Sequence, residues 1–279
     1  MAATENVYRW WGLTRLCMKI LVTVSEVAEA DDDFEIDGVS IDDRYLTFDL
    51  NEWDDYAIEE AVQLSEEHDD VEVVTVTVGP ERAEEVIRQA LAKGADRGVR
   101  VWDDSLDEET LVDPQTKAEL VAAVAEEEEP DFVFSGVQSG DVAFAATGVS
   151  LASQLGYEWA AVVNDFELDA DAGEAHVHRE LEGGIEELTD VELPAVFTIQ
   201  TGINEPRYAS LRGIRQAQSK PLDVKSPEEI GVELDGSSLE LTSLTVPETE
   251  SDTELFEGSA EETAEKLATF LKDEKGVSA

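Results

Sequence analysis

The chain has 279 residues, 42% of them hydrophobic, and carries 67 Asp and Glu against 19 Lys and Arg, a formal charge of −48 at pH 7. That apolar content suffices for a core, while so negative a surface excludes nucleic-acid binding, which needs basic groups to displace phosphate counterions. A single cysteine, Cys17, excludes an intrachain disulfide and a cysteine-rich metal site, and no apolar run reaches the roughly 18 residues that direct membrane insertion by a helix requires.

The acid is spread along the whole chain and interleaved with periodic apolar residues, with only eight lysines. This pattern implies a folded protein in multimolar salt, where the Debye length is about 3 Å and self-repulsion is screened. A halophilic, cytoplasmic protein is the expectation. Residues 1–17, "MAATENVYRWWGLTRLC", are net positive and lack the apolar stretch of a signal peptide. They read as an extension or a mis-assigned start ahead of Met18.

From Met18 the chain alternates strand and helix. Residues 19–24, "KILVTV", form a short apolar run that reads as a buried strand. After an acidic loop, "DDYAIEEAVQLSEEH" places Ala57, Ile58, Ala61 and Val62 on one helical face. "VEVVTVTVG" is β-branched and runs into Gly-Pro, a second strand. In "PERAEEVIRQALAKG", Ala83, Val86, Ile87, Ala90 and Leu91 keep helical spacing, with Pro80 suited to the first turn and Gly94 to the end. "GVRVW" is a third strand, "KAELVAAVAEEEE" a helix and "DFVFSG" a fourth strand. "VAFAATGVSLASQLG" is a helix of small apolar residues, and "WAAVV" a fifth strand.

This order predicts an α/β fold, a parallel sheet flanked by helices of the Rossmann-like, adenine-nucleotide-binding type. Ligands in such sheets lie beyond the carboxyl ends of the strands, here at the loops after Val24, Val78 and Ser135. Residues 164–200 then alternate polar and apolar with turn signals at 171–173 and 183–184, an antiparallel meander. Beyond Ser226 lie weak elements and an amphipathic helix at 260–271.

The usual catalytic signatures (G-x-S-x-G, the P-loop and G-x-G-x-x-G) are absent. His176 and His178 share a strand face, but no third ligand of ordinary spacing follows, so no metal is expected. Arg179 fits either a buried ion pair or a ligand contact. Ser135, Gly136, Ser139 and Gly140 stand between a strand and a helix start, where small residues admit phosphate to backbone N–H groups. The same composition also serves simply to turn a strand into a helix.

Against the acidic background, residues 199–225 hold five basic side chains (Arg207, Arg212, Arg215, Lys220 and Lys225) and two acidic ones, Glu205 and Asp223. "LPAVFTIQTGINEPRYASLRGI" within this region closely resembles the signature of the electron transfer flavoprotein beta subunit, an LPAV strand running into N-E-P-R-Y-x-x-L. "NEWDDYAIEEAVQL", "VGPERAEEVIRQALAKGADRGVRV" and "VHRELEGGIEEL" resemble further motifs of that family in the same order. The likeness runs from about residue 19 to 225. It sets a domain at 18–225, including a recognition loop at 198–220, and leaves 226–279 as a tail laid on a partner subunit.

The resemblance implies an electron carrier, not an enzyme. Its FAD would be shared with an alpha subunit, its electrons drawn from acyl-CoA and related dehydrogenases and passed to a membrane quinone oxidoreductase. AMP would be bound structurally, with contacts at Thr23, Asn51, Glu52, Trp53, Asp54, Val78, Asp141, Thr147, Gly148 and Ser150. Partner recognition would fall to Asn204, Glu205, Pro206, Arg207, Tyr208 and Leu211, with Leu211 as the anchor. Some positions depart from the family pattern: Glu52 stands for a proline, Val142, Ala143, Ala145 and Ala146 stand for polar residues, and the region 28–30 lacks an aromatic. These departures keep open an electron-bifurcating relative with a second FAD in place of AMP.

Overall fold

The computed structural model describes residues 18–104, 106, 112–234, 239–246 and 255–274. The expectation for residues 1–17 lies outside the described residues. Short runs rich in β-branched and other apolar residues make the central strands: β1 (Met18–Thr23), β6 (Val71–Val78), β7 (Arg97–Val101), β8 (Phe132–Gly136) and β12 (Ala195–Ile199). Strands of this composition belong where both faces are covered, and helices cover both. α1 (Glu52–Glu67) and α2 (Glu84–Lys93) pack with Ile20, Val22 and Val24 on one face. α3 (Pro114–Glu128) and α4 (Thr147–Leu155) pack with Leu21, Val74, Val76 and Val133 on the other.

Among the described residues the main sheet has nine strands, in the order β11-β10-β9-β12-β8-β1-β6-β7-β13. β13 (Leu222–Lys225) closes one edge, parallel to β7. At the other edge β9 (Glu158–Asp169), β10 (Glu174–Leu181) and β11 (Ile185–Glu192) form the antiparallel meander. β9 serves both regimes. Its start pairs parallel with β12 and its end antiparallel with β10. The register against β12 shifts at Val162, whose φ of 62° is far outside the usual range of a β-branched residue. Its N–H donates to Thr198 Oγ1 at 2.9 Å, which holds the bulge against β12.

Four segments differ from the sequence expectation. The acidic loop after β1 contains two small antiparallel ribbons: β2 (Glu26–Ala30) with β5 (Leu46–Leu50), and β3 (Ile36–Asp37) with β4 (Ser40–Ile41). α3 begins at Pro114, before Lys117, because Asp113 caps it by accepting from the N–H groups of Gln115 and Thr116. α4 begins at Thr147, five residues later than composition implies, because Ala143 and Ala145 take left-handed φ values of 48° and 52°. Finally, the main unit does not stop at residue 225. Val232 is buried, and Ile230 and Leu234 pack beside it on the α3 and α4 side.

The chain divides into compact units at 1–243 and 244–279. In the second unit α6 (Ala260–Glu274) opens with a reciprocal cap: Ser259 N–H donates to Glu262 Oε2 at 2.9 Å, and Glu262 N–H to Ser259 Oγ at 3.3 Å. Phe256 and Phe270 stack edge to face, 5.8 Å apart.

Candidate nucleotide cleft and docking loop

β1 lies between β8 and β6, and the chain visits β6 and β7 on one side before returning to β8 on the other. The loops that leave β1 and β8 therefore diverge, and a crevice opens at their carboxyl ends. Thr23 to Ser25, Asn51, Asp54, Val76, Val78, Lys117, residues 135–139 and residues 144–147 line it.

Two side chains of the "NEWD" turn build this cleft. Asp54 is buried; Oδ2 accepts from Ser25 N–H at 2.8 Å and Oδ1 from Gly136 N–H at 3.0 Å. It ties the loop after β1 to the end of β8. Burial pushes its carboxyl up to about 6, although both amide bonds favour the charged form. Asn51 does the same one step further out, accepting from Gly140 N–H at 3.2 Å and donating to Gln138 O at 2.9 Å. Position 136 must be glycine here, since a Cβ would lie 2.6 Å from Asp54 Oδ1 and 2.7 Å from Trp53 Cβ.

The start of α4 forms another wall. Gly148 lets the helix lie directly on β8 and β12, for a Cβ there would meet Thr198 Cγ2 at 2.6 Å and Ser135 Cβ at 3.3 Å. Ala146, at the cap position, offers no side-chain acceptor. The first-turn amides are thus left to solvent or a ligand, with the partial positive charge of a helix start. Backbone donors of this kind suit a phosphate or carboxylate.

Of the ten residues expected to contact a nucleotide, the fold brings Thr23, Asn51, Asp54, Val78 and Thr147 to one cleft. The others stand behind or beside it. Trp53 Nε1 donates to Gln200 Oε1 at 3.1 Å, at the end of β12. Gly148 packs behind the cleft, Ser150 N–H continues the helix ladder to Ala146 O, and Glu52 is exposed. Exposed Asp141 accepts from the following amide, Val142 N–H. Lys117, Gln138 and Phe144 line the cleft without having been singled out. For Lys117 the available signal was the capping Asp113 four residues upstream, followed by Pro114, which starts the helix ahead of Lys117 instead of at it.

The basic ribbon resolves residue by residue. Arg207 is a staple: Nε and Nη2 bond Glu59 at 2.8 and 3.0 Å, and Nη1 and Nη2 bond Glu66 at 2.6 and 3.0 Å. Burial would raise Glu59, but these bonds outweigh it and hold the carboxyl below its ordinary range. Asn204 Nδ2 donates to Tyr56 O and Glu60 Oε2, fixing the same segment to α1. Lys220 Nζ donates to the carbonyls of Leu91 and Ala95 at the end of α2, and Lys225 pairs with Glu127. Arg212 and Arg215 are exposed, without a carboxylate partner among the described residues. Between these anchors Tyr208 is 99% and Leu211 78% exposed at the start of α5 (Leu211–Ala217), while Glu205 is exposed beside Pro206.

On the meander, Arg179 Nε lies 3.7 Å from Glu187 Oε1, a loose ion pair. His176 Nδ1 bonds Asp190 at 2.6 Å, whereas His178 Nε2 lies 3.7 Å from Glu186. His176 comes together with Asp169 and Glu174, with potential ligand atoms within 4.8 Å of one another. Sequence spacing did not reveal that grouping, because the register of β9 against β10 creates it.

The family described as "Electron transfer flavoprotein domain" matches residues 39–230. An electron transfer flavoprotein subunit beta from Methylophilus methylotrophus is 45% identical over 268 residues, spanning 93% of this chain and all of that protein. The chain belongs to the electron transfer flavoprotein beta-subunit family. The Bradyrhizobium diazoefficiens beta subunit is 34% identical over 262 residues, covering 93% of this chain and 100% of its own length. The human one is 36% identical over 224 residues, 80% of this chain and 84% of that protein. As a member of this family the chain is an electron-carrier subunit, not an enzyme. No helix among the described residues is long and apolar enough to cross a membrane.

Proposed function

We propose that this chain pairs with an alpha subunit to hold FAD, binds AMP in its own cleft, and docks dehydrogenases through the loop at 198–220. The electrons then pass to a membrane quinone oxidoreductase. The single observation that carries the nucleotide part is the crevice between β1 and β8, walled by the uncapped start of α4 and spliced by Asn51 and Asp54. Its donors are chiefly backbone amides, and the glycines at 136 and 148 keep the walls tight. That donor set fits an adenine nucleotide, with Thr23, Val78, Thr147 and the 135–139 loop around it. FAD, when bound between the subunits, supplies the redox chemistry; the bound AMP supplies none and acts as a structural filler of the cleft. The acidic composition fits a halophilic cytoplasm, where the protein keeps its assembly only in high salt.

The docking part rests on a rigidly held loop that leaves an apolar side chain in solvent. Arg207 and Asn204 face inward on α1, so Tyr208 and Leu211 are the groups presented. An anchor seated in a partner's pocket contributes about 2 kcal/mol or more. Leu211→Ala should therefore slow flavin reduction by a subsaturating dehydrogenase at least about tenfold while leaving flavin content unchanged. Loss of flavin at full reduction rate per flavin would contradict the docking role.

A further inference from the structure

The cleft is electrostatically unlike the rest of the molecule. In a chain of 67 acidic and 19 basic residues, only two ionisable side chains line it, Asp54 and Lys117. Asp54 is committed at both oxygens to Ser25 and Gly136 amides. The remaining charge is the ammonium of Lys117, half-buried on the first turn of α3.

Several other cations among the described residues are bound up, whereas Arg212 and Arg215 stand in open solvent away from any cleft. Lys19 and Arg97 share Glu72 and Glu128, Lys93 pairs with Asp55, and Lys225 with Glu127. Lys117 has no carboxylate partner among the described residues, although glutamates and aspartates outnumber it so heavily. Its charge also sits on the first turn of a helix, where the dipole disfavours a cation. A half-buried lysine in that position, unpaired and lining the same crevice as the uncapped start of α4, has the character of a counter-charge for a ligand.

We infer that Lys117 is the side chain that neutralises the phosphate of the nucleotide held in this cleft, so that affinity depends on the ligand's anionic group. The inference rests on the nucleotide reading given above and goes beyond it by assigning the phosphate end to the α3 and α4 side of the crevice. Glutamine at 117 keeps the length and polarity of the side chain and removes the charge. A charge-assisted hydrogen bond at a half-buried ammonium is worth about tenfold in affinity.

The test uses the full chain in complex with its alpha subunit, stripped of nucleotide, and measures AMP and adenosine binding by calorimetry. Lys117→Gln should weaken AMP about tenfold and leave adenosine within about twofold, and Lys117→Arg should retain most of the AMP affinity. AMP affinity unchanged in Lys117→Gln would overturn the assignment while leaving the nucleotide reading intact. Equal losses for AMP and adenosine would also overturn it, since the effect would not belong to the phosphate. Wild-type protein that binds neither ligand would overturn the nucleotide reading and the assignment together.

Discussion

Arg207→Ala tests whether the loop at 198–220 is stapled to α1 by charge. The variant loses four side-chain bonds, two to Glu59 and two to Glu66. Glu66 is largely exposed, and its share is that of a surface pair, about 0–1 kcal/mol. Glu59 is different, because its side chain is only 5% exposed. Stripping one partner from a buried pair costs about 3–5 kcal/mol. Here two donors survive the substitution, the residue-207 main-chain N–H at 3.1 Å and Gln63 Nε2 at 2.7 Å, and water reaches the site. The net loss should therefore be about 2–3 kcal/mol.

Urea unfolding of wild type and variant in the same salt measures it. Arg207→Lys, which keeps the charge but not the fork, should recover about half. Adding Glu59→Gln to Arg207→Ala should recover more than half, because no buried charge is then left unpaired. The pH dependence has a definite sign. Glu59 is held below its ordinary range, so the stabilisation is present at neutral pH and fades as pH falls through the folded-state value. A loss below about 0.5 kcal/mol at neutral pH, within the range of unremarkable surface changes, would refute the staple. So would a loss that persists undiminished in acid.

Asp54, raised to about 6 by burial, works in the opposite direction: its protonation favours the folded state, and that contribution is lost as pH rises through about 6. Between about pH 5 and pH 7.5 wild type should lose about 1 kcal/mol relative to Asp54→Asn, which shares every other titration; parallel stability curves would contradict this. Gly148→Ala opposes two effects, for helix propensity alone would stabilise by about 1 kcal/mol. Its Cβ, however, meets Thr198 Cγ2, and Thr198 cannot swing away without giving up Val162 N–H. Overpacking costs about 1–3 kcal/mol, so the melting temperature and nucleotide affinity should both fall, and a raised melting temperature would contradict the packing.

Much of the fold was legible because its signals are local. The helix at 84–93 follows from the spacing of Val86, Ile87, Ala90 and Leu91, and the strand at 71–78 from its β-branched run. The late start of α4 was not legible. Val142 to Ala146 have helical composition, and only the left-handed backbone at Ala143 and Ala145 removes them from the helix. Long-range pairing was equally invisible. Arg207 and Glu59 are 148 positions apart, and nothing in "NEPRY" says whether its arginine faces a partner or the chain's own α1. In the cleft, the "NEWD" turn supplies two lining residues, Asn51 and Asp54. Only the coordinates distinguish Asn51 and Asp54, which splice loops, from Trp53, which turns to Gln200. Lys117 escaped notice because charge becomes informative only once its neighbours are known.

The most direct test of the whole account is a ligand count. The chain should be co-expressed with its alpha subunit in high salt, purified without added nucleotide, and denatured so that FAD and AMP can be quantified per heterodimer. One FAD and one AMP is the expected result. Two FAD and no AMP would contradict it, placing a second flavin in the cleft between β1 and β8 and giving this chain a redox role of its own.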